Sequence, residues 1–366
     1  MRGRVERVTG LLFFINLTRK PFQEILMKNS QWLFLSIAFG ITIIFFGCTK
    51  DNPVAFHSRI TDEQALRAKV ERADSIAQFS GSDEATIDDH GLREPEYLGR
   101  EDDAIVNSIS TLSGTRDSSS PVRWGRHIKR EQIVRDYHID ILGDTGAIVT
   151  IVKTIPGEFL VGWGYRTPDT VVVDTIVRKP FTQIVTRKIQ FKRVANSDDP
   201  HRNWRPVALT LVQGKNQGTL TFSITSLEII DPRLPAPPPV VTDPLNTWLR
   251  LGWRHPAVPV ILAGDSIVVH VTITSSNDSN EIVALRHGID GIGPQRGRAR
   301  MLLVSVTGSP GNYTRVYEKI FHANAPRRDI IARLNAVIDV LSYGSIFSKE
   351  EPFTNEFWGM PYILIH

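Results

Sequence analysis

The sequence is poor in the residues and motifs on which common catalytic chemistry depends. Cys48 is the single cysteine in 366 residues, which excludes a disulfide within the chain and a zinc site built on several cysteines. A Gly-x-Ser-x-Gly elbow, a Walker loop, a Gly-x-Gly-x-x-Gly turn after a strand and a His-Glu-x-x-His pair are all missing. The ten histidines are scattered. We therefore predict no catalytic residue, cofactor or metal site from motifs.

Most of the chain also lacks an excess of charge of either sign. The sequence has 43 basic and 39 acidic residues, which gives a formal net charge of +4. Six of the basic and two of the acidic residues precede Cys48, so equal numbers of each remain from Cys48 onward. A neutral body has no bulk charge to draw it to DNA or RNA. Nucleic acid is therefore not predicted as a partner.

One apolar run is long enough to suggest a targeting segment. About sixteen uncharged residues, from Trp32 to Gly47, follow Lys28 and end directly before Cys48. This run is shorter than the roughly twenty residues that a membrane-spanning helix needs. A positive residue, a short apolar core and a small residue at the end are the layout of an export signal. The other apolar runs of the chain are shorter, so we expect a soluble body.

The cysteine at the end of this run resembles the lipobox of bacterial lipoproteins. Phe45 stands where that family prefers leucine, and Phe46 where it prefers a small residue. The resemblance implies that the thiol of Cys48 accepts a diacylglycerol, that a peptidase cuts before it, and that its new amino group is acylated, with palmitate for example. Residues 27–47 are then the signal peptide. The alternative is a plain membrane anchor or signal helix with an incidental cysteine.

The residues around the signal predict where the protein is placed. Met27 followed by Lys28 is an ordinary signal-peptide start, so residues 1–26 are either a mis-assigned start or a long basic n-region. Residues 48–60 are predicted to be a tether. Thr49 follows the lipobox cysteine, whereas aspartate there is the inner-membrane retention signal in the best-known systems. We expect a lipid-anchored protein of the bacterial cell envelope, favouring the outer membrane, with its body on the periplasmic or surface side.

Residues 61–230 are predicted to form an α+β domain. Thr61 and Gln64 have the spacing of a capping box, and a helix of about eighteen residues is expected behind them. A second short helix is expected over 105–112. From residue 134 the pattern alternates as in antiparallel strands, with turns expected at Pro156-Gly157 and at 214–218. This order loosely resembles cystatin-like or NTF2-like folds, in which a curved sheet wraps a helix; a β-sandwich with a helical preface is the alternative.

A second β domain is predicted after a proline-rich spacer. Residues 231–244 contain dense prolines, which favour a semi-rigid extended segment. Short strands joined by Gly, Asn and Ser turns over 245–366 suggest an immunoglobulin-like β-sandwich. Residues 328–341 fit either a helix or a strand, and the β context favours a strand. Residues 358–365 are expected to form a closing edge strand, because Pro361 cannot donate to a neighbouring strand.

Several clusters suggest sites, each with a structural alternative. Acidic residues over 88–103 suggest a metal site or a solvated loop. The oxygen-rich segment 276–281 suggests a calcium site or a hairpin turn. The basic segments 123–130 and 296–300 suggest contact with headgroups or an anionic polymer, or charged edges that discourage aggregation. Trp163, Tyr165 and Trp248 suggest sugar stacking or core packing, and packing is favoured.

These observations favour a non-catalytic binding or structural module held to a membrane by its N-terminal lipid. The expected partners are another envelope protein or a surface polymer, met through sheet edges or loops. The alternative is a small-ligand-binding protein or a hydrolase with its site in the 61–230 domain. In that case Tyr137, His138 or Trp163 would line the pocket.

Overall fold

A computed structural model of the chain describes residues 61–72, 120–166, 171–230, 240–251, 258–287, 297–322 and 332–365. Several predictions fall outside these residues: the signal peptide, Cys48, the tether, the second helix, the acidic segment 88–103 and most of the proline-rich spacer. Residues 60–366 form one compact unit.

The described residues are mainly β-strand, with three α-helices and one short 3₁₀ helix at Arg130–Gln132. The strands are β1 (Ser120–Ile128), β2 (Val134–Leu142), β3 (Gly146–Arg166), β4 (Val171–Arg193), β5 (Trp204–Thr210), β6 (Val212–Asn216), β7 (Phe222–Ile230), β8 (Val240–Val241), β9 (Trp248–Arg250), β10 (Val260–Leu262), β11 (Ser266–Ser275), β12 (Ile282–His287), β13 (Gly297–Arg300), β14 (Leu302–Ser309), β15 (Asn312–His322), β16 (Ala332–Leu341) and β17 (Asn355–Ile365). The helices are α1 (Asp62–Arg72), α2 (Pro200–Asn203) and α3 (Tyr343–Phe347). The predicted mainly β fold is confirmed.

The strands form two sheets. The larger sheet has twelve strands along the path β1-β3-β4-β6-β17-β16-β12-β13, with β2, β5, β9 and β10 added beside it. The smaller sheet has five strands in the order β14-β15-β11-β7-β8. Among the described pairs only β10 with β17 is parallel, so the predicted antiparallel arrangement is also confirmed.

Strands from both predicted domains are mixed in each sheet. In the larger sheet β6 pairs with β17, and in the smaller sheet β7 pairs with β11. These partners lie on opposite sides of the predicted spacer, and β8 is formed by two of the spacer's own residues. The predicted boundary at 231–244 therefore falls within one compact unit.

The predicted capping box at the start of α1 is confirmed. The backbone N–H of Gln64 donates to the hydroxyl of Thr61 at 3.2 Å, and the backbone N–H of Thr61 donates to the side chain of Gln64 at 2.9 Å. Two donors that the first helical turn leaves unpaired are thus satisfied. Leu66 and Val70 on the same helix are buried in the core, while the side chain of Asp62 accepts hydrogen bonds from Trp204 and Arg193.

The predicted turn at Pro156-Gly157 is wrong, because β3 runs through it without a break for 21 residues. On one side β3 pairs with β2 as far as Thr154 and with β1 from Gly157 onward. Pro156 falls between these two partners, where no strand requires its missing N–H. Gly157 is needed because a Cβ there would clash with the ring of Phe181 and lie 2.8 Å from the carbonyl of His127.

The predicted turn over 214–218 begins later than expected. Strand β6 extends to Asn216, and Gly214 lies inside it against the ring of Phe357. A side chain at position 214 would occupy the space that this buried ring fills. Here glycine marks a close approach within a sheet instead of a turn.

The strand preference for residues 328–341 is confirmed for Ala332–Leu341, which form β16. The prediction that 358–365 close an edge is wrong, because β17 lies between β16 on one side and β6 and β10 on the other. Pro361 again falls between two successive partners: β6 pairs with residues 356–359 and β10 with 363–365. The expectation that proline lies at a sheet edge assumes that one strand pairs along the whole length of each side. On one side of β3 and of β17, two strands pair in succession and the proline lies between them.

Two apolar cores fill the unit. The larger contains residues from both sheets, such as Ile224 and Val271 from the small sheet with Ile338 and Trp358 from the large one. The smaller contains large-sheet residues from strands far apart in the strand order, including Phe159 and Phe357. Residues of the first and sixth strands along the path meet in it, which requires the large sheet to curl.

Candidate functional site

The most deeply buried charged cluster lies where the large sheet curls over itself. The Nη2 of Arg126 on β1 donates to both carboxylate oxygens of Asp339 on β16, at 2.7 Å each. The Nε of Arg286 on β12 donates to the same carboxylate at 3.0 Å, and the amide of Asn355 donates at 3.1 Å. Arg126 and Asp339 are fully buried, and Arg286 is 2% exposed.

The charge of the buried Asp339 carboxylate is compensated by two guanidinium groups in direct contact with it. Burial alone would raise the pKa of Asp339, but the charges of Arg126 and Arg286 outweigh it and lower the pKa below its usual value. The guanidinium of Arg126 lies 5.1 Å from the ring centre of Phe353. The cluster connects β1, the first strand of the sheet path, to β16, the sixth, and it is closed to solvent. We therefore interpret it as a structural ion pair that stabilises the curled sheet.

This arrangement corrects the prediction that residues 123–130 form one basic patch or a charged edge. Successive side chains of a strand point to opposite faces. Trp124, Arg126 and Ile128 are therefore directed to one side and pack inside the curl, while His127 is exposed. Lys129 pairs with Glu158 at 3.4 Å. In the second basic segment, Arg298 and Arg300 lie on β13, which ends the sheet path beside β12.

The oxygen-rich segment 276–281 is neither a hairpin nor open to a cation. It joins β11 of the small sheet to β12 of the large one. The Nη1 of Arg315 donates to both oxygens of Glu281 at 3.0 and 2.9 Å, and its Nη2 donates to the carbonyls of Asn277 and Asp278 at 2.6 and 3.2 Å. The guanidinium therefore occupies the position toward which these oxygens converge.

The three residues suggested for a pocket are not brought together. The side chain of His138 is 76% exposed and pairs with Asp140 at 3.1 Å. Tyr137, its neighbour on the strand, points to the other face and lies under Arg67 at 5.2 Å. Trp163 is buried in the smaller core beneath Lys349. Trp163 lies on β3 itself, twelve residues or about 40 Å along the strand from Ile151, the residue that pairs with Tyr137.

A surface feature of the small sheet was not predicted. One row of side chains crosses all five strands in register on the face away from the core: Val240, Glu228, His270, Glu318 and Leu302. We call these five residues the outer row. The next row toward one end of the sheet consists of Ile230, Val268 and Ile320, which we call the apolar row.

The centre of the outer row is an imidazole held between two carboxylates. The Nε2 of His270 lies 2.7 Å from Glu318, and the Nδ1 lies 3.2 Å from Glu228. Burial alone would lower the pKa of His270, but the hydrogen bonds to Glu318 and Glu228 outweigh it and raise the pKa above its usual value. When His270 is protonated, both nitrogens donate and the row carries one net negative charge.

This triad is not arranged as a metal site. The two carboxylates approach opposite sides of the imidazole ring, so the three side chains share no common point at coordination distance. Within the residues that the structure describes, no group of three or more His, Cys, Asp or Glu side chains is placed to hold a metal ion. The acidic segment 88–103 lies outside those residues.

The outer row and its neighbours expose much apolar surface. Five of the twelve large apolar side chains that are exposed in the described residues belong to the small sheet. They are Val240, Leu302, Val304, Val306 and Ile320. Val240, Leu302 and Ile320 lie on the outer face, whereas Val304 falls at a bulge in β14 and Val306 lies opposite Arg315 on the core side. Each is about half exposed, and Ile230 and Val268 beside them are partly exposed. Contiguous apolar surface of this kind commonly marks an interaction site.

Sequence reasoning missed this surface because its members are 42 and 48 residues apart in the chain. Each glutamate and the histidine occupies an ordinary polar position in an alternating strand, so none stands out alone. Only the strand order and register bring them into one row.

None of the helices in the described residues is long and apolar enough to cross a membrane.

Comparisons with known proteins do not assign a function to the outer row or to the buried cluster. No protein-family model matches the chain, and no curated protein is significantly similar to it.

Proposed function

We propose that this protein is a lipid-anchored cell-envelope module that binds a partner non-catalytically through the outer face of its small sheet. The observation that carries the proposal is the half-exposed apolar side chains on that face, Val240, Leu302 and Ile320, beside the partly exposed Ile230 and Val268. Water is displaced from such side chains when a partner covers them, at about 25 cal/mol for each Å² of apolar area removed.

The two buried charged clusters support a non-catalytic role, because their carboxylates are already bound by arginine side chains of the same chain. Asp339 is bound by Arg126, Arg286 and Asn355, and Glu281 is bound by Arg315. These groups stabilise the scaffold on which the outer face is displayed. A rigid two-sheet scaffold with one partly apolar face suits a module that holds another molecule.

The membrane part of the proposal comes from the sequence. The apolar run that ends at Cys48 supports export and lipidation, and the outer membrane is the favoured location. Twelve residues separate Cys48 from Thr61, and an extended chain reaches about 3.3–3.6 Å per residue. The body would then stay within about 40–45 Å of the lipid. The finer fold assignments, a cystatin-like or NTF2-like domain and an immunoglobulin-like sandwich, stay predictions.

Site-specific crosslinking in cells tests the binding role. A photoreactive phenylalanine analogue replaces Ile320 on the outer face, and a matched variant carries it at Val134 on β2. These two side chains are 50% and 54% exposed, so they are equally available to a chance collision. We expect a discrete adduct with another envelope component at position 320 and none at position 134. Absence of an adduct at 320, or the same adducts at both positions, would overturn the proposal.

A further inference from the structure

We infer that the partner of the outer face is a basic amphipathic protein segment, one that carries apolar side chains together with lysine or arginine. This inference rests on the proposed binding role of that face and adds the chemistry of what binds there.

The apolar half of the inference comes from the arrangement of the face. Ile320 of the apolar row is half exposed and lies beside Val268. Val240 and Leu302, the two ends of the outer row, are also about half exposed. Apolar side chains therefore border the charged centre on both flanks and along one side. A partner that covers the face must bring apolar side chains of its own to fill these positions.

The basic half comes from the two glutamates. His270 contacts the Oε2 atom of both Glu228 and Glu318. The Oε1 atom of each carboxylate accepts no hydrogen bond from any described residue, and the two side chains are 32% and 38% exposed. Each glutamate therefore presents one free acceptor to solvent at the rim of apolar surface, which is where a lysine or arginine gains a charge-assisted hydrogen bond.

The net charge of the row distinguishes among possible occupants. With His270 protonated the row carries one negative charge, so a second copy of this face would bring like charges together. An anionic lipid surface would be repelled for the same reason. A basic segment is attracted, and its cations replace water on the free glutamate oxygens.

The spacing of the glutamates suits a helix. They lie on β7 and β15, which flank β11, so their strands are two spacings or about 9.6 Å apart. Residues seven apart on one face of a helix are separated by about 10.5 Å. A helix laid across the strands can therefore place one basic side chain near each carboxylate, with apolar side chains beyond them over Val240 and Leu302.

Peptide binding to the full-length protein in detergent tests this inference. The probe is a synthetic helix of leucine and lysine with lysines seven residues apart, and the control peptide has glutamate in place of lysine. Fluorescence anisotropy is measured at pH 6, where His270 is protonated because its pKa is raised. Four variants are compared with the parent protein: Glu228→Gln, Glu318→Gln, His270→Gln and, as a matched charge change on the exposed turn between β2 and β3 of the large sheet, Asp144→Asn.

The expected pattern has opposite signs within one row. Each Glu→Gln change weakens binding of the lysine peptide about two- to five-fold, the size of one exposed ion pair. His270→Gln strengthens it by a similar factor, because the row then carries two negative charges. Asp144→Asn has no effect, and the glutamate peptide binds more weakly than the lysine peptide.

Other patterns overturn the inference. Equal binding of both peptides, no binding of the lysine peptide, or weaker binding by His270→Gln would exclude a basic partner. If these results came with a specific crosslink at Ile320, the binding role of the face would stand and only the partner's chemistry would be wrong. Loss of that crosslink would remove the binding role itself.

Discussion

Replacing Asp339 with Asn should destabilise the fold more than most single changes. Its carboxylate accepts four hydrogen bonds, two from Arg126, one from Arg286 and one from Asn355. An asparagine keeps one acceptor oxygen, presents N–H groups toward cationic donors and removes the negative charge. Two guanidinium groups that are 0% and 2% exposed then lose their shared carboxylate. Removing one partner from a buried ion pair costs about 3–5 kcal/mol.

The assay is urea unfolding of the purified protein, followed by tryptophan fluorescence. The matched control is Asp140→Asn, since Asp140 also pairs with a basic side chain but is 51% exposed. We expect the control to change the free energy of unfolding by less than about 0.5 kcal/mol. The lowered pKa of Asp339 means that its stabilisation is present above the unfolded-state pKa and is lost as the pH falls through the lower folded-state value. A loss below about 1 kcal/mol for Asp339→Asn would refute the view that this cluster locks the curled sheet.

Three further predictions concern the outer row, a buried glycine and the anchor. The raised pKa of His270 contributes stability that is complete below its unfolded-state pKa and is lost as the pH rises through its folded-state pKa. The urea midpoint of the parent protein should therefore fall toward alkaline pH, and the midpoint of His270→Gln should fall by less. An equal fall in the two proteins would contradict this. Gly157→Ala should lower the free energy of unfolding by about 1–3 kcal/mol, because the added Cβ clashes with Phe181. Gly146→Ala on the same strand should lower it by less, because the added Cβ has no neighbouring atom nearer than 3.7 Å. Equal losses would show that the clash at position 157 is relieved. Labelled palmitate should be incorporated into the parent protein and not into Cys48→Ala, and equal label in both would exclude lipidation at this residue.

Local features of the fold could be predicted because they depend on neighbours in the chain. The capping box at Thr61 needs only the residue three positions away, and the alternation of Phe222 and Ile224 identifies a strand without knowledge of its partner. The same reasoning failed at Pro156 and Pro361. Whether a proline can lie inside a strand depends on where its partner strands begin and end, and that information is not local.

The candidate site could not be predicted for a related reason. The sequence pattern groups Arg126 with the basic residues beside it, although the residue that binds it, Asp339, is 213 positions away. The outer row likewise requires the order and register of five strands. Sequence patterns give the face on which a side chain lies, and only the pairing decides which other side chains share that face.

The central position of β17 has a consequence for how the chain folds. This strand is made of residues 355–365, yet it joins β6 to β16 in the middle of the large sheet. The hairpin of β3 and β4 can form early from local contacts, but the sheet stays in two parts until β17 enters between them. Pairing over such sequence distances is slow, and it leaves strand edges open meanwhile. We therefore expect the large sheet to be completed only after residues 355–365 have been released, long after the hairpin of β3 and β4 can form.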